Sequence, residues 1–228
     1  MQHFRGHCGD RRITKWDIFY YVYGVLHHPG YREKFADNLK RELPRIPLAP
    51  PLPGQSPERK RRVKGGGPVA CASGSDGSAD LVSGFRAFAK AGKQLANLHI
   101  EYESLEPWPL KWIETHDEPL SYIVEKMRLG KDKKSIEVND SLTLAGIPPE
   151  VFDYRLGNRS AIEWVIDQYR VKEDKRTGIR SDPNNPDDPE YIVRLVGQVV
   201  RVSVETVKIV AALPQHYAPE PEAPPSAG

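Results

Sequence analysis

Residues 14–29 read TKWDIFYYVYGVLHHP, and this stretch sets the architecture of the N-terminal part of the chain. Thr14, with Asp17 three positions later, is a variant of the capping box that marks the first turn of a helix. Apolar side chains then recur at helical spacing. Pro29 interrupts the pattern, because proline lacks the amide proton that a helix interior needs. A second helix is expected from Pro29 to about Leu43, so the stretch predicts a helical hairpin.

The segments on either side of this hairpin lack apolar periodicity. Residues 1–12 are expected to form a frayed N-terminus. Residues from about 48 to 83 are dominated by Pro, Gly and Ser, and such a segment cannot bury enough apolar surface to offset the loss of chain entropy. We therefore expect a domain over residues 13–213 that is interrupted by a disordered insertion at about 48–83, followed by a disordered tail over 214–228.

The remainder of the chain mixes helical and strand patterns. A helical pattern covers Phe85 to Leu98, and short strands are predicted at His99–Glu103, Leu120–Met127, Ser135–Val138 and Leu142–Leu144. Ser160 with Glu163 is a second capping box and opens another helix. Two further helices are expected, one after Pro189 and one over Ser203–Leu213. The predicted class is α+β, with an N-terminal helical hairpin, a small and mostly antiparallel central β region, and C-terminal helices.

The composition excludes several classes of protein. No run of about 18 uncharged apolar residues occurs, so no membrane-spanning helix is expected. The first twelve residues lack the apolar segment of a secretory signal. Cys8 and Cys71 are the two cysteines of the chain, and two cysteines support neither a disulfide framework nor a four-ligand zinc site. A reducing, cytoplasmic setting is the expectation that follows.

The sequence also lacks the usual catalytic motifs. It contains neither the glycine-rich P-loop of ATPases nor the Gly-x-Ser-x-Gly turn of hydrolases. Residues 184–187 read NNPD, which begins like the Asn/Asp-Pro-Pro-aromatic tetrad of amino-methyltransferases. The second proline and the aromatic ring of that tetrad are missing, so we interpret the segment as a loop that precedes a helix. No catalytic residue and no metal ligand is predicted.

Positive charge is unevenly distributed on a chain whose net charge is only +2. Basic side chains cluster within Arg59–Lys64, Lys126–Lys134 and Arg170–Arg180. Local clusters of this kind favour a surface that faces a polyanion. For any one cluster taken alone, ordinary solvated loops are the alternative interpretation.

Three stretches are more specific than any of these features. They are residues 13–29 with 31–34 and 43–47, residues 154–169, and residues 187–193 with 202–207. In order and spacing they resemble the C-terminal specificity (target recognition) domain of Type ISP single-chain restriction–modification enzymes. In that family one polypeptide carries a nuclease, a helicase-like ATPase, an adenine N6-methyltransferase and, last, the DNA-reading domain.

The resemblance implies sequence-specific recognition of double-stranded DNA without catalysis in this chain. The expected partners are duplex DNA and the methyltransferase, helicase and nuclease modules of a parent enzyme. S-adenosylmethionine, ATP and Mg are implied only for those upstream modules, so no cofactor is expected here. The chain itself is expected to be a C-terminal fragment of such an enzyme.

Arginine and lysine suit phosphate contacts, and arginine or asparagine can also read base edges. The candidate DNA-binding residues are Arg155, Asn158, Arg159 and Ser160 in one turn, Lys172, Lys175, Arg176 and Arg180 in a second loop, and Lys131, Lys133 and Lys134 in a third. For Asn158 and Ser160 an equal alternative stays open, namely that they only form the turn and cap the helix. Trp164, at helical spacing, is expected in the core rather than as a stacking platform.

A rival interpretation is a docking module that packs on a methyltransferase core through the Val/Ile faces of its terminal helices and does not read DNA. The position of the basic side chains discriminates between the two. Arg155, Arg159, Lys175 and Arg176 on one exposed face would favour DNA reading, whereas scattering or pairing with Asp182 and Asp187 would favour docking.

Overall fold

The computed structural model describes residues 2–8, 10–47, 76–115 and 119–215. The chain divides into two compact units, the first formed by Met1–Asn97 with Ile209–Gly228 and the second by Leu98–Lys208. Each unit has its own apolar core. The mixture of helices and small antiparallel sheets confirms the predicted α+β class. Within the described ranges, no helix has the length and apolar character needed to cross a membrane.

The first unit is helical. Its helices are α1 (Gln2–Cys8), α2 (Lys15–His27), α3 (Pro29–Lys34), α4 (Ala36–Leu39) and most of α5 (Asp76–Ile100). The predicted capping box is present at the start of α2, where the Thr14 hydroxyl accepts a hydrogen bond from the Asp17 amide and the Asp17 carboxylate accepts one from the Thr14 amide. The core of this unit consists of Cys8, Ile13, Tyr21, Val25, Tyr31, Phe85, Phe88, Ala89 and Leu213.

Two glycines let α2 and α5 approach closely. A Cβ atom on Gly92 would lie 1.8 Å from the carbonyl oxygen of Tyr20, and one on Gly24 would lie 2.6 Å from the carbonyl oxygen of Phe88. Both separations are shorter than any van der Waals contact, so this helix crossing requires the absence of a side chain at both positions.

Three expectations for the first unit need correction. Residues 2–8 form α1 instead of a frayed terminus, because Cys8 is fully buried and Phe4 packs edge-on against Tyr21. Helix α5 begins at Asp76, inside the segment expected to be a disordered insertion, while residues 48–75 lie outside the described residues. The second helix of the hairpin is divided at Phe35 and ends at Leu39, not Leu43. Most of the predicted tail, residues 216–228, also lies outside the described residues.

The second unit is built on a four-stranded antiparallel sheet. Its strands are β1 (Lys111–Glu114), β2 (Arg128–Leu129), β3 (Ser135–Glu137) and β4 (Leu142–Ala145), in the order β1-β4-β3-β2. Strand β5 (Arg155–Leu156) pairs with β6 (Arg159–Ser160), helix α6 (Ala161–Gln168) follows, and β7 (Lys172–Glu173) pairs with β8 (Arg180–Ser181). Helix α7 (Tyr191–Ala211) comes last, and short 3₁₀ turns occupy Tyr102–Ser104 and Pro149–Phe152.

The core of the second unit joins the sheet to α6 and α7. Positions along β3 and β4 alternate between buried and more exposed, with Ile136, Leu142 and Leu144 at the buried ones, as expected for a sheet with one covered face. The side chains that α7 contributes to this core are Ile192, Val193, Leu195, Val196, Val199, Val200 and Val204. The Val/Ile face of this helix is therefore used inside its own unit.

Strand and helix boundaries in the second unit differ from the prediction in three places. His99–Glu103, predicted as a strand, is the end of α5 and the start of a 3₁₀ turn. Leu120–Met127 is irregular apart from one bridge between Lys126 and Arg170. The two expected C-terminal helices are the single helix α7, and Ser203, expected to begin the second of them, lies in its interior with its hydroxyl donating to the Val199 carbonyl. The predicted strands at Ser135 and Leu142 are present.

Candidate nucleic-acid interface

The β5–β6 hairpin displays the first group of candidate residues. Its loop is the dipeptide Gly157-Asn158, and Gly157 has φ +73°, the left-handed geometry that glycine adopts without strain. Arg155 and Asn158 are exposed, and the Arg155 guanidinium donates to the carbonyl of Asn158. In the described part of the chain the Asn158 side-chain amide has no hydrogen-bond partner, so the turn presents it to solvent.

Ser160 takes a structural role. Its side chain is fully buried, its hydroxyl accepts from the Glu163 amide at 3.4 Å, and the Glu163 carboxylate accepts from the Ser160 amide at 2.8 Å. That backbone amide is the main group that lowers the pKa of Glu163, with smaller contributions from Lys133 and Arg155. Burial leaves no solvent-facing hydroxyl for a DNA phosphate, so Ser160 acts here as the cap of α6.

Helix α6 joins the hairpin to the next basic segment. The Asp167 carboxylate lies 3.3 Å from Arg159 through one oxygen and 3.3 Å from Arg170 through the other. The backbone of Arg170 in turn forms an isolated antiparallel β-bridge with that of Lys126, and the neighbouring Val171 amide donates to the Glu125 carbonyl at 2.9 Å. One carboxylate therefore sets the spacing of two arginines that lie eleven residues apart in sequence.

Trp164 is not a core residue, which corrects the sequence-based expectation. The Arg159 guanidinium lies over its ring at 5.3 Å from the centroid, and the indole N–H donates to the Leu156 carbonyl at 2.9 Å. The ring therefore binds both strands of the hairpin, through Leu156 of β5 and Arg159 of β6, and holds Arg159 in place. Trp164 and Asp167 are the residues that sequence reasoning missed, and their i, i+3 spacing on one helix face was the available signal.

The third loop of candidates, Lys131, Lys133 and Lys134, is the exposed turn between β2 and β3. Lys133 has φ 57°, and its ammonium group lies over the Phe152 ring at 5.2 Å from the centroid. Because both Lys133 and Arg155 act on Glu163, this turn and the β5–β6 hairpin lie near the same end of α6.

The second loop of candidates is a two-stranded ribbon, β7–β8, whose residues 173–182 are all exposed. Lys175 and Arg176 occupy its tip. In the described ranges neither forms an ion pair, whereas Arg180 lies 3.6 Å from Asp182. Lys172 sits at the base of the ribbon, close in sequence to the Arg170–Lys126 bridge.

Acidic side chains near these cations are engaged in turns. The Asp174 carboxylate accepts from the amides of Arg176 and Thr177 at 2.8 and 2.9 Å, and these bonds, the Thr177 amide first, lower the pKa of Asp174. The Asp182 carboxylate likewise accepts from the Asn184 amide at 3.0 Å, which lowers its pKa. These carboxylates therefore fix the loops while the basic side chains reach solvent.

Asn184 also has a structural role. Its side-chain oxygen accepts from the Val124 amide at 2.8 Å, and its nitrogen donates to the Val124 carbonyl at 2.9 Å. This clamp agrees with the interpretation of residues 184–187 as a loop before a helix. Across the described residues, no group of three or more His, Cys, Asp or Glu side chains is placed to hold a metal ion.

The contacts connect the three basic segments in the second unit. Lys133 of the turn and Arg155 of the β5–β6 hairpin both lie close enough to Glu163 to help lower its pKa, and the hairpin is linked to the base of the ribbon through Asp167 and Arg170. We call this connected set, residues 126–134, 155–159 and 170–180, the basic surface. Neither Asp182 nor Asp187 pairs with any of the four discriminating residues, within the part that the structure describes. In this respect, among the described residues, the pairing that would have favoured docking is not formed by Arg155, Arg159, Lys175 or Arg176.

Comparison with known proteins agrees with this geometry. The sequence matches the family model described as "Type ISP C-terminal specificity domain" over residues 1–54 and 79–195. A comparison with curated proteins gave no significant match.

Three solved structures are similar to the chain. A nuclease-deletion mutant of the Type ISP restriction-modification enzyme LlaGI, solved with a DNA substrate mimic, is 34% identical over 89% of this chain, with a TM-score of 0.67. The ATP-dependent Type ISP enzyme LlaBIII bound to DNA is 31% identical over 90% of the chain, with a TM-score of 0.68. DrdV in complex with DNA is 35% identical over 93% of the chain, with a TM-score of 0.69.

The chain spans 16%, 11% and 19% of the lengths of those LlaGI, LlaBIII and DrdV chains. The similarity thus concerns one module of much larger proteins. The family match covers most of this sequence and includes the helical hairpin, the β5–β6 hairpin, α6 and the ribbon. The chain belongs to the Type ISP C-terminal specificity domain family.

Proposed function

We propose that this chain reads DNA for a restriction–modification system and that its basic surface binds duplex DNA in a sequence-specific way. The observation that carries the proposal is the connection of Arg159 and Arg170 through Asp167, on a surface whose cations face solvent, in a chain of a specificity-domain family. The three similar enzymes, solved with DNA or a DNA mimic, support the same ligand.

Affinity and selectivity come from different groups in this proposal. Exposed lysines and arginines neutralise phosphates and set the register of the protein on the duplex, which carries no sequence information by itself. Selectivity needs side chains that reach base edges, and Asn158 offers a free amide at the apex of a rigid turn, with the donor and acceptor that pair with adenine. Arg155, on the same hairpin, keeps guanidinium N–H groups beyond the one that donates to the Asn158 carbonyl, and such groups pair with guanine.

Bond-making chemistry belongs, in this proposal, to other modules of a parent enzyme. S-adenosylmethionine, ATP and Mg would act there and not in this chain. The compartment of action is then the one that holds the DNA, the cytoplasm. Incubation of the chain with S-adenosylmethionine and duplex DNA should leave the DNA unmethylated, and methyl transfer by the chain alone would contradict this part of the proposal.

The test of the main proposal is a selection from random duplexes with the full chain, followed by titration of the selected duplex at several salt concentrations. We expect a defined sequence to be enriched, and the logarithm of the binding constant to fall linearly with the logarithm of salt concentration, by about 0.9 per phosphate contact. Binding without any enriched sequence, or no binding of duplexes, would refute sequence-specific recognition by this chain.

A further inference from the structure

The β7–β8 ribbon carries one apolar side chain among polar ones. Its residues 172–181 read KEDKRTGIRS, and Ile179 is 67% exposed. Ile179 has no place in either apolar core. β-branched residues are enriched in strands, so strand propensity is the structural explanation that any functional role of Ile179 has to exceed.

The ribbon holds Ile179 in a fixed direction. The Asp174 amide donates to the Ile179 carbonyl at 3.0 Å, which extends the pairing of Lys172 with Ser181 and of Glu173 with Arg180 by one more step. Opposite residues on paired strands share a face, and the face alternates along each strand. Ile179 therefore lies on the face of Lys172, opposite to that of Arg180.

The tip beyond Ile179 is closed by hydrogen bonds rather than left loose. The Gly178 amide donates to the Asp174 carbonyl at 2.7 Å, with Gly178 at φ +69°, and the Asp174 carboxylate accepts from two further amides. Ordering such a tip costs little on binding, because its backbone bonds already exist in the free protein. Lys175 and Arg176 project from this tip on a closed turn.

The width of the ribbon decides which groove it fits. The major groove of B-DNA, about 12 Å wide, admits a two-stranded ribbon, whereas the minor groove is only about 6 Å wide. In the major groove, the 5-methyl group of thymine is the one apolar group that the base pairs display. Along the ribbon, Lys172 lies on the same face as Ile179 towards the base, and Lys175 and Arg176 lie at the tip, so cations flank Ile179 as phosphates border a groove.

We infer that the β7–β8 ribbon enters the major groove and that Ile179 contacts a thymine methyl group, which makes Ile179 a specificity-determining residue. This inference rests on the proposed function of duplex DNA recognition. Lys175 and Arg176 bind the flanking phosphates, and Ile179 supplies the base selectivity of the ribbon.

The experiment compares selections from random duplexes by the wild-type full chain, Ile179→Ala and Ile179→Val. Ile113→Ala is the matched control, because Ile113 is a partly exposed isoleucine on β1, the edge of the sheet opposite β2. We expect one thymine position to lose its preference in Ile179→Ala, with the other positions unchanged. Ile179→Val should retain the preference, and Ile113→Ala should match the wild type.

A second measurement changes the DNA instead of the protein. Replacing that thymine by uracil removes only the methyl group and should weaken wild-type binding about fourfold, the effect of losing one buried methyl. The same replacement should leave the affinity of Ile179→Ala unchanged.

If the wild type and Ile179→Ala select the same sequence with the same preference at every position, the inference is overturned and the proposed function stays intact. A uniform loss of affinity for all sequences in Ile179→Ala would also overturn it. Failure of the wild type to bind any duplex would instead refute the proposed function itself.

Discussion

The Asp167 carboxylate lies 3.3 Å from the Arg159 guanidinium, and this ion pair fixes the β5–β6 hairpin to helix α6. The other oxygen of Asp167 lies 3.3 Å from Arg170, at the base of the β7–β8 ribbon. A single acidic side chain thus holds two basic segments of one surface at a fixed spacing. Its role is positional, since a carboxylate itself repels the DNA backbone.

Removing the Asp167 carboxylate should lower sequence specificity more than it lowers the overall affinity for DNA. In Asp167→Asn both arginines keep their charge but lose a shared partner, so we expect the ratio of specific to non-specific binding to fall about fivefold, the equivalent of roughly 1 kcal/mol for partly exposed pairs. Non-specific affinity should not fall, because one negative charge is lost. Competition binding with a selected and a scrambled duplex measures both. A lower non-specific affinity with an unchanged ratio would contradict the positional role.

The two cations at the ribbon tip should act on every duplex alike. We expect Lys175→Ala and Arg176→Ala each to reduce the slope of log binding constant against log salt by about 0.9, irrespective of sequence. Lys111→Ala, which removes an exposed lysine of β1, serves as the control and should keep the wild-type slope. Anisotropy titrations over a range of salt concentrations measure the slope, and equal slopes in all four proteins would exclude phosphate contacts at the tip.

Ser160 and its partner Glu163 allow the structural and DNA-binding roles to be separated. Ser160→Ala removes the cap of α6 and should lower the free energy of unfolding by about 1 kcal/mol. The salt slope of DNA binding should be unchanged, because the buried hydroxyl has no access to phosphate. Urea denaturation measures the stability of this variant, and a salt titration measures the slope of its DNA binding. A reduced slope with unchanged stability would show that Ser160 is a phosphate ligand.

The two capping boxes show what local sequence predicts well. Thr14 with Asp17 and Ser160 with Glu163 each sit within one helical turn, so their residue types alone specify the contact. The hairpin turn at Gly157-Asn158 is predictable for the same reason, because a two-residue loop needs a residue that tolerates positive φ.

Contacts between distant segments were not predictable in this way. Trp164 lies outside the core because its indole N–H and its ring bind a carbonyl and an arginine of the β5–β6 hairpin, and helical spacing alone predicts neither contact. Strand β1 was missed since its four residues are all exposed and show no alternation, and its pairing with β4 is what makes it a strand. Cys8 is buried in a core to which α2, α3 and α5 contribute, and the sequence pattern of residues 1–12 holds no sign of those contacts.

The close crossing of α2 and α5 predicts a large cost for any side chain at Gly92. In Gly92→Ala the new Cβ would lie 1.8 Å from the Tyr20 carbonyl oxygen, so the helices must separate, and we expect the free energy of unfolding to fall by about 1–3 kcal/mol or more. Gly6→Ala is the matched control, because no atom lies within 4 Å of its added Cβ and alanine favours the helix interior. Calorimetry should show a lower free energy of unfolding than wild type for Gly92→Ala and a higher one for Gly6→Ala. Equal stability of Gly92→Ala and wild type would contradict the crossing.

Because of Asp10, the free energy of unfolding of the first unit should decrease as the pH becomes acidic. Hydrogen bonds from Arg12 and then Arg86 hold the pKa of Asp10 well below its usual range in the folded state. Since the folded pKa lies below the unfolded one, the stabilisation is complete above the unfolded value, near 4, and is lost as pH falls below it. Urea denaturation from pH 6 to pH 3 should show wild type and Asp10→Asn converging. A constant difference across this range would contradict the prediction.

The most direct test of the central claim is the affinity of the full chain for its selected duplex relative to a scrambled duplex of equal length, measured by competition at one fixed, physiological salt concentration. Specific sites are typically bound about 10³-fold or more tightly than non-specific DNA, and we expect a preference in that direction that disappears stepwise as single base pairs of the site are changed. Equal affinity for the two duplexes would show that the basic surface binds DNA only as a polyanion, and would contradict a reading function.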